Sequence, residues 1–205
     1  MFVKMCGMTR LSDALHAVEH GADALGFVFW PASPRYVSPA RAAAIIAALQ
    51  PGVSAVGVFV NETVEGIRGV VAQTGISTIQ LHGDEAPTYA DALDWPVLRA
   101  VTVGQVEEAF AAWPPGTIFL MDTADPVRRG GTGRTIDWRQ AASAARGRRI
   151  VLAGGLTPDN VADAIGTVRP FGVDVSSGVE DAPGVKNADK VARFLASARS
   201  AFEKG

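Results

Sequence analysis

At 205 residues, nearly half of them apolar, the chain can bury a sizeable core in one large domain or two small ones. Its 19 Lys and Arg against 21 Asp and Glu leave a formal charge of -2, scattered along the chain. There is no basic stripe with interleaved aromatics, which argues against nucleic acid, and no apolar run nears the ~18–20 residues of a membrane span. Cys6 is the single cysteine, so an internal disulfide is excluded. The chain starts directly with Phe2-Val3-Lys4-Met5-Cys6-Gly7 and shows no basic start, apolar centre or cleavage site of a secretion signal. A lone thiol without such a signal points to the cytoplasm.

Short apolar, β-branched runs alternate with Ala-rich helical stretches throughout. Strands are expected at 2–6, 24–29, 54–60, 77–81, 97–102, 117–122, 149–153 and 171–176. Helical periodicity fills 11–20, 38–49, 63–73, 86–93, 105–112, 137–145 and 158–167, and a last helix runs over 188–203. Eight strands, each followed by a helix, is the count of an α/β (β/α)8 TIM barrel. The run from Ala24 to Phe29 and that from Ser54 to Val60 are apolar on both faces, as strands are with a barrel interior on one side and helices on the other. No Pro/Ser/Gly linker divides the chain, so residues 1–205 read as one domain. The structural competitor is a doubly wound open sheet. The Arg146-Gly147-Arg148-Arg149 run reads as a solvated turn.

In a barrel of this kind the loops after the strands build the active site. The polar residues of interest fall there, in order. Cys6, Gly7 and Thr9 follow the first strand and Arg35 the second. Val60-Asn61 ends the third. His82, Gly83, Asp84 and Glu85 follow the fourth and Asp122 the sixth. Gly154 and Gly155 follow the seventh, and Asp174, Ser176, Ser177 and Gly178 end the eighth. Glycines before a helix let backbone N–H groups approach an anion, so the last two loops are expected to hold a phosphate. Asp122 closes an apolar strand. Desolvation there would raise its pKa and suit it to donate a proton. Arg35 can pair two-pronged with a substrate carboxylate. A Cys6–His82 nucleophilic pair lacks a third orienting residue, which leaves His82 as a pocket-lining or hydrogen-bonding residue. His16 and His20 lie four apart, a spacing that can bind metal. No carboxylate motif of the H-E-x-x-H kind accompanies them, so they read as surface residues, and no metal is expected. The stretch from Thr123 to Thr135 is long, charged and glycine-bearing, and is expected to act as a lid.

Together these segments form a recognisable set. Val3-Lys4-Met5-Cys6-Gly7-Met8-Thr9, Gly26-Phe27-Val28-Phe29 with Ser33-Pro34-Arg35-Tyr36-Val37, Val56-Gly57-Val58-Phe59-Val60-Asn61, Gln80-Leu81-His82-Gly83, Asp122-Thr123 with Gly130-Gly131-Thr132-Gly133, Leu152-Ala153-Gly154-Gly155-Leu156 and Asp174-Val175-Ser176-Ser177-Gly178-Val179-Glu180 closely resemble the phosphoribosylanthranilate isomerase family. The resemblance implies an isomerase of tryptophan biosynthesis that uses neither cofactor nor metal. Its substrate would be a small phosphosugar, N-(5-phosphoribosyl)anthranilate, rearranged to the 1-deoxyribulose 5-phosphate derivative. It implies Cys6 as general base, Asp122 as general acid and Arg35 on the anthranilate carboxylate. The loops at Gly154-Gly155 and Ser176-Ser177-Gly178 would hold the phosphate, with His82 and Asp174 among the substrate-binding residues. Met5 and Met8 stand where Ile and Leu are usual. A catalyst needs Cys6 as thiolate, which calls for nearby positive charge; Lys4, two residues earlier on the same strand face, is the candidate. The rivals are the related aminoimidazole-carboxamide ribotide isomerase, which leans on paired aspartates, a silent phosphosugar-binding barrel and a Schiff-base lyase. Monomer and homodimer both remain open.

Overall fold

The computed structural model describes residues 1–123 and 136–204. Eight parallel strands close on themselves in chain order, with β1 (Phe2–Met5) pairing with both β2 (Ala24–Val28) and β8 (Gly172–Val175). Between them run β3 (Ser54–Phe59), β4 (Thr78–Leu81), β5 (Val97–Val101), β6 (Ile118–Met121) and β7 (Ile150–Leu152). The helices that return the chain are α1 (Leu11–Glu19), α2 (Pro39–Ala47), α3 (Val64–Thr74), α4 (Thr88–Ala92), α5 (Val106–Ala112), α6 (Trp138–Ala145), α7 (Val161–Val168) and α8 (Ala188–Lys204). This is the (β/α)8 TIM barrel expected from the alternation of apolar runs and helical periodicity.

Period-two alternation sorts each strand's side chains between two cores. Val3 and Met5 on β1, Leu25 and Phe27 on β2 and Phe119 and Met121 on β6 face outward and pack with the helices in one continuous cluster. Helix α8 adds Val191, Phe194, Leu195 and Ala198, spaced three or four apart and all buried. Complete burial of Phe194 and Leu195 stabilises the fold by about 1.5–3 kcal/mol each. The inward residues form layers. Leu98, Ala100, Leu120, Val151 and Ala153 make an apolar floor. Lys4, Gln80 and Asp174 form a buried polar belt. Cys6, Val28 and Val58 lie together in a small cluster with Trp30.

Three details depart from the sequence reading. Every strand but β4 ends one residue earlier than expected, so Cys6 and Asp122, like His82, stand just past their strands, each still donating its backbone N–H to the neighbouring strand. Helix α7 begins at Val161, after a turn in which Asn160 Oδ1 accepts from the Thr157 N–H at 2.8 Å and Asn160 Nδ2 donates to the Gly155 carbonyl at 3.0 Å. An antiparallel hairpin of β9 (Glu180–Ala182) and β10 (Val185–Lys186) follows β8. Its five residues are too few to show a strand period in the sequence. Apart from Thr123, the expected lid over Thr123 to Thr135 lies outside the described residues.

Candidate active site

Lys4 stands at the middle of the polar belt, fully buried. The β1/β8 register sets it directly opposite Asp174, whose Oδ1 accepts from Lys4 Nζ at 3.0 Å. Burial pulls the ammonium's pKa down, but attraction to Asp174 and to Cys6 outweighs that and leaves it above its ordinary value. Lys4 is therefore a permanent cation inside the barrel. Cys6 lies one pleat further along. A Cβ on Gly26 would come within 2.8 Å of Cys6 Sγ and 3.2 Å of Lys4 Nζ, so the missing side chain of Gly26 is the hollow in which thiol and ammonium meet. That close approach is the use of a glycine inside a strand.

The expectation of a lowered thiol pKa is corrected by this setting. Burial pushes the Cys6 thiol up, and Lys4 and Lys186 pull it back only part of the way. Desolvation of the buried thiolate, with the Asp174 charge, outweighs two nearby ammoniums. The resting group is the thiol, and the lysines make its ionisation attainable.

Asp122 stands just past β6. Its Oδ1 accepts from the Thr123 N–H at 2.7 Å and from the Thr123 hydroxyl at 3.3 Å. Burial raises the carboxyl's pKa, against the lowering effect of those two donors and of Lys4. Thr123 thus holds Oδ1, and Oδ2 is the oxygen left open to carry the proton that an acid must deliver. Oδ2 lies 3.7 Å from Nε2 of His82. Burial and the Lys4 charge depress the His82 pKa to about 4, so the ring is neutral at physiological pH. Gln80 Nε2 lies 2.9 Å from His82 Nδ1. An amide nitrogen only donates, so Nδ1 accepts and the ring proton stands on Nε2, toward Asp122. Lys4 thus acts electrostatically on Cys6, Asp122, Asp174 and His82 alike. The four side chains, from β1, β4, β6 and β8, gather around one ammonium.

Arg35 has a partner within the chain that its sequence surroundings do not show. Its Nε contacts both Glu180 oxygens at 3.0 and 3.1 Å, and Nη2 contacts Oε2 at 2.7 Å. The fork is filled by Glu180 of the β9–β10 hairpin, which leaves Nη1 without a partner among the described residues. Two-pronged capture of a substrate carboxylate is not the geometry present. Lys186 Nζ also pairs with Glu180, at 2.8 Å, and donates to the backbone carbonyl of Cys6 at 2.6 Å. Desolvation would raise the Glu180 pKa, but Arg35 and Lys186 hold it below its ordinary value. Arg35, Lys186 and ionised Glu180 together carry one net positive charge beside Cys6.

The loops after β7 and β8 meet at the other side. Gly154 and Gly155 have φ of 80° and 64°, which a side chain would strain. The glycine pair does not lead straight into α7. The short 3-10 turn Ser177–Val179 is the helical element that follows its strand at once. A Cβ on Gly178 would collide with the Leu156 carbonyl, so the two loops touch through bare backbone. Ser176 Oγ is buried with no hydrogen-bond partner among the described residues. The two glycine-bearing loops thus lie backbone against backbone at the ends of neighbouring strands, the make-up of a main-chain anion site. Gly178→Ala is expected to push the loops apart and raise KM about tenfold or more with little change in kcat, since it weakens uniform binding. Steady-state kinetics checks it; an unchanged KM would show that the backbone contact is not part of the binding surface.

A model of the family "N-(5'phosphoribosyl)anthranilate (PRA) isomerase" matches residues 3–197. The chain belongs to this family. An N-(5'-phosphoribosyl)anthranilate isomerase of Trichlorobacter lovleyi is 50% identical over 203 residues, 98% of each chain. The crystal structure of the phosphoribosyl anthranilate isomerase from Thermotoga maritima superposes with a TM-score of 0.90 at 44% identity, over 98% of this chain and 99% of that one. A phosphoribosyl anthranilate isomerase in complex with reduced 1-(o-carboxyphenylamino)-1-deoxyribulose 5-phosphate superposes with a TM-score of 0.86 at 42% identity, over the same shares. Within the isomerase frame of this chain, sequence reasoning missed several polar partners. Glu85, buried, takes N–H bonds from Asn61 and Gly83 at 2.7 and 2.8 Å and pairs with Arg99 at 2.6 Å, which fixes the turn that carries His82. The i,i+2 spacing of Gln80 and His82 is the one signal in the sequence that could have paired them.

Proposed function

We propose that Cys6 is the general base and Asp122 the general acid of the family's reaction in this chain. That reaction rearranges N-(5'-phosphoribosyl)anthranilate to 1-(2-carboxyphenylamino)-1-deoxyribulose 5-phosphate in tryptophan biosynthesis. It is an aldose–ketose isomerisation, an intramolecular oxidoreduction, on a small phosphosugar. Asp122 Oδ2 gives its proton to the ribose ring oxygen, the C1–O bond breaks and the anthranilate nitrogen shares its electron pair with C1. The resulting Schiff base acidifies the C2 hydrogen. The Cys6 thiolate takes that proton, and the electron pair left behind forms an enolamine. Return of a proton to C1 and loss of the C2 hydroxyl proton give the ketone. Each proton has a donor or acceptor within the chain, so the reading calls on no cofactor. The cytoplasm suits a reaction of this kind carried on an unpaired thiol.

The observation that carries this assignment is the shared Lys4 ammonium. It favours the thiolate at Cys6 and stabilises negative charge as Asp122 gives up its proton. The loops at Gly154-Gly155 and Ser176-Ser177-Gly178 receive the phosphate. Arg35 Nη1 and the net charge of the Arg35–Lys186–Glu180 group receive the anthranilate carboxylate. Complementation of a tryptophan auxotroph lacking this isomerase tests the activity, with Cys6→Ala as the failing control; growth of the Cys6→Ala strain at the wild-type rate would remove Cys6 from the mechanism. Arg35→Lys keeps the charge but loses the fork and the free Nη1. It is expected to raise KM about ten- to a hundredfold, the worth of a lost charge-assisted hydrogen bond. Steady-state kinetics reads this, and an unaltered KM would place the carboxylate elsewhere.

A further inference from the structure

The three histidines do different work, and two of them lie outside the active site. We propose that His16, Glu19 and His20 form a surface site for a borderline divalent cation of the zinc type. Spacings of three and four residues put all three on one face at the carboxyl end of α1. The imidazole centroids are 4.1 Å apart, tilted by 41°. One ligand atom from each residue lies within 4.8 Å of the other two.

The second observation is the state of the rings. His16 Nε2 lies 3.0 Å from the Ala188 carbonyl, and His20 Nδ1 lies 2.9 Å from the His16 carbonyl. A carbonyl can only accept, so each of these nitrogens carries its ring's proton. That fixes both tautomers and leaves His16 Nδ1 and His20 Nε2 as lone pairs. Holding the outer ring nitrogen on a backbone carbonyl is how metal-binding histidines are oriented. Two neutral imidazoles and one carboxylate form a mixed N/O donor set. It suits zinc, copper or nickel and is poor for magnesium or calcium, which require oxygen. Zinc–nitrogen bonds of 2.0–2.1 Å place tetrahedral ligands about 3.4 Å apart. Drawing ligand atoms that now lie within 4.8 Å of one another in to that separation is a matter of side-chain rotation, which the exposed Glu19 and His20 can make. The negative end of the α1 dipole favours the cation as well.

The site is separate from the chemistry. Helix α1 runs back between parallel β1 and β2, so its carboxyl end points to the barrel face away from Cys6. Its effect is structural, because His16 also bridges to the first residue of α8.

Zn²⁺ titrated into the full chain at neutral pH, followed by calorimetry and thermal unfolding, tests the proposal. One equivalent is expected to bind with Kd on the order of 1–100 µM, weaker than a four-ligand structural zinc. At a hundredfold excess over Kd, Tm should rise by about 5–10 °C. Mg²⁺ should do neither. His20→Gln and Glu19→Gln, both at exposed positions, should fold as the parent does and weaken zinc binding, His20→Gln by about tenfold or more. No binding at millimolar Zn²⁺ would overturn the site. Undiminished binding in both variants would overturn it equally, since it would place the metal on other groups.

Discussion

Replacing Cys6 by Ala lowers kcat by about 10²- to 10⁴-fold, the usual worth of one positioned proton acceptor, and leaves KM close to that of the parent. The change removes one buried sulfur from a cluster with Val28, Val58 and Trp30, and with it a hydrogen bond to Lys4, whose ammonium still donates to Asp174. The fold therefore survives, and an intact circular-dichroism spectrum with normal binding of a reduced product analogue is the necessary companion result. Lys4 keeps its ion pair with Asp174, so the polar belt is not disturbed. Cys6→Ser should fare little better, because a hydroxyl gives up its proton far less readily than a thiol and so supplies almost no anionic base near neutral pH. Turnover near the parent rate in Cys6→Ala would mean that another group takes the C2 proton.

Asp122→Asn is the second large effect, also about 10²- to 10⁴-fold in kcat. Asn has the shape of Asp, and its carbonyl oxygen can still accept from both Thr123 donors. What is lost is the acidic proton on the second oxygen, since an amide N–H does not serve as an acid. The variant should bind substrate and stall before ring opening. Single-turnover kinetics distinguishes this from Cys6→Ala, which should stall after ring opening with the Schiff base formed. Accumulation of the same species in both variants would contradict the division of labour.

Much of the barrel was legible in the sequence because parallel strands buried on both faces read as plain apolar runs. The run from Ala24 to Phe29 is an example: all five residues of β2 are buried. The inward periodicity of β1 was legible too, and with it the pairing of Lys4 and Cys6 on one face. What the sequence did not yield were contacts between residues far apart in the chain. Asp174 looked like a strand-end polar residue of the phosphate loop, yet its partner is Lys4, 170 residues away. Arg35 looked like a free fork, yet Glu180 fills it, and nothing local to Arg35 announces a hairpin 145 residues on. The direction of the Cys6 shift was misjudged for a related reason. A sequence shows the neighbouring lysine, but the extent of burial, which decides the sign, exists only in the closed barrel.

The pH dependence of kcat/KM in the parent and the two variants tests the central assignment most directly. Reaction needs Asp122 protonated and Cys6 ionised. Burial raises both pKa values in the same direction, from ordinary values of 3.8 and 9.0, and the thiol is expected to titrate after the carboxyl. In the parent, kcat/KM should rise with pH until Asp122 begins to ionise, level off, and fall no earlier than the pH at which Cys6 is fully ionised. Asp122→Asn keeps only the Cys6 requirement, so its residual activity should climb with pH across the neutral range. Cys6→Ala keeps only the Asp122 requirement, so its residual activity should decline across the same range. Opposite slopes in the two variants are the predicted result; parallel profiles, both shaped like the parent's, would contradict the assignment of base and acid to these two side chains.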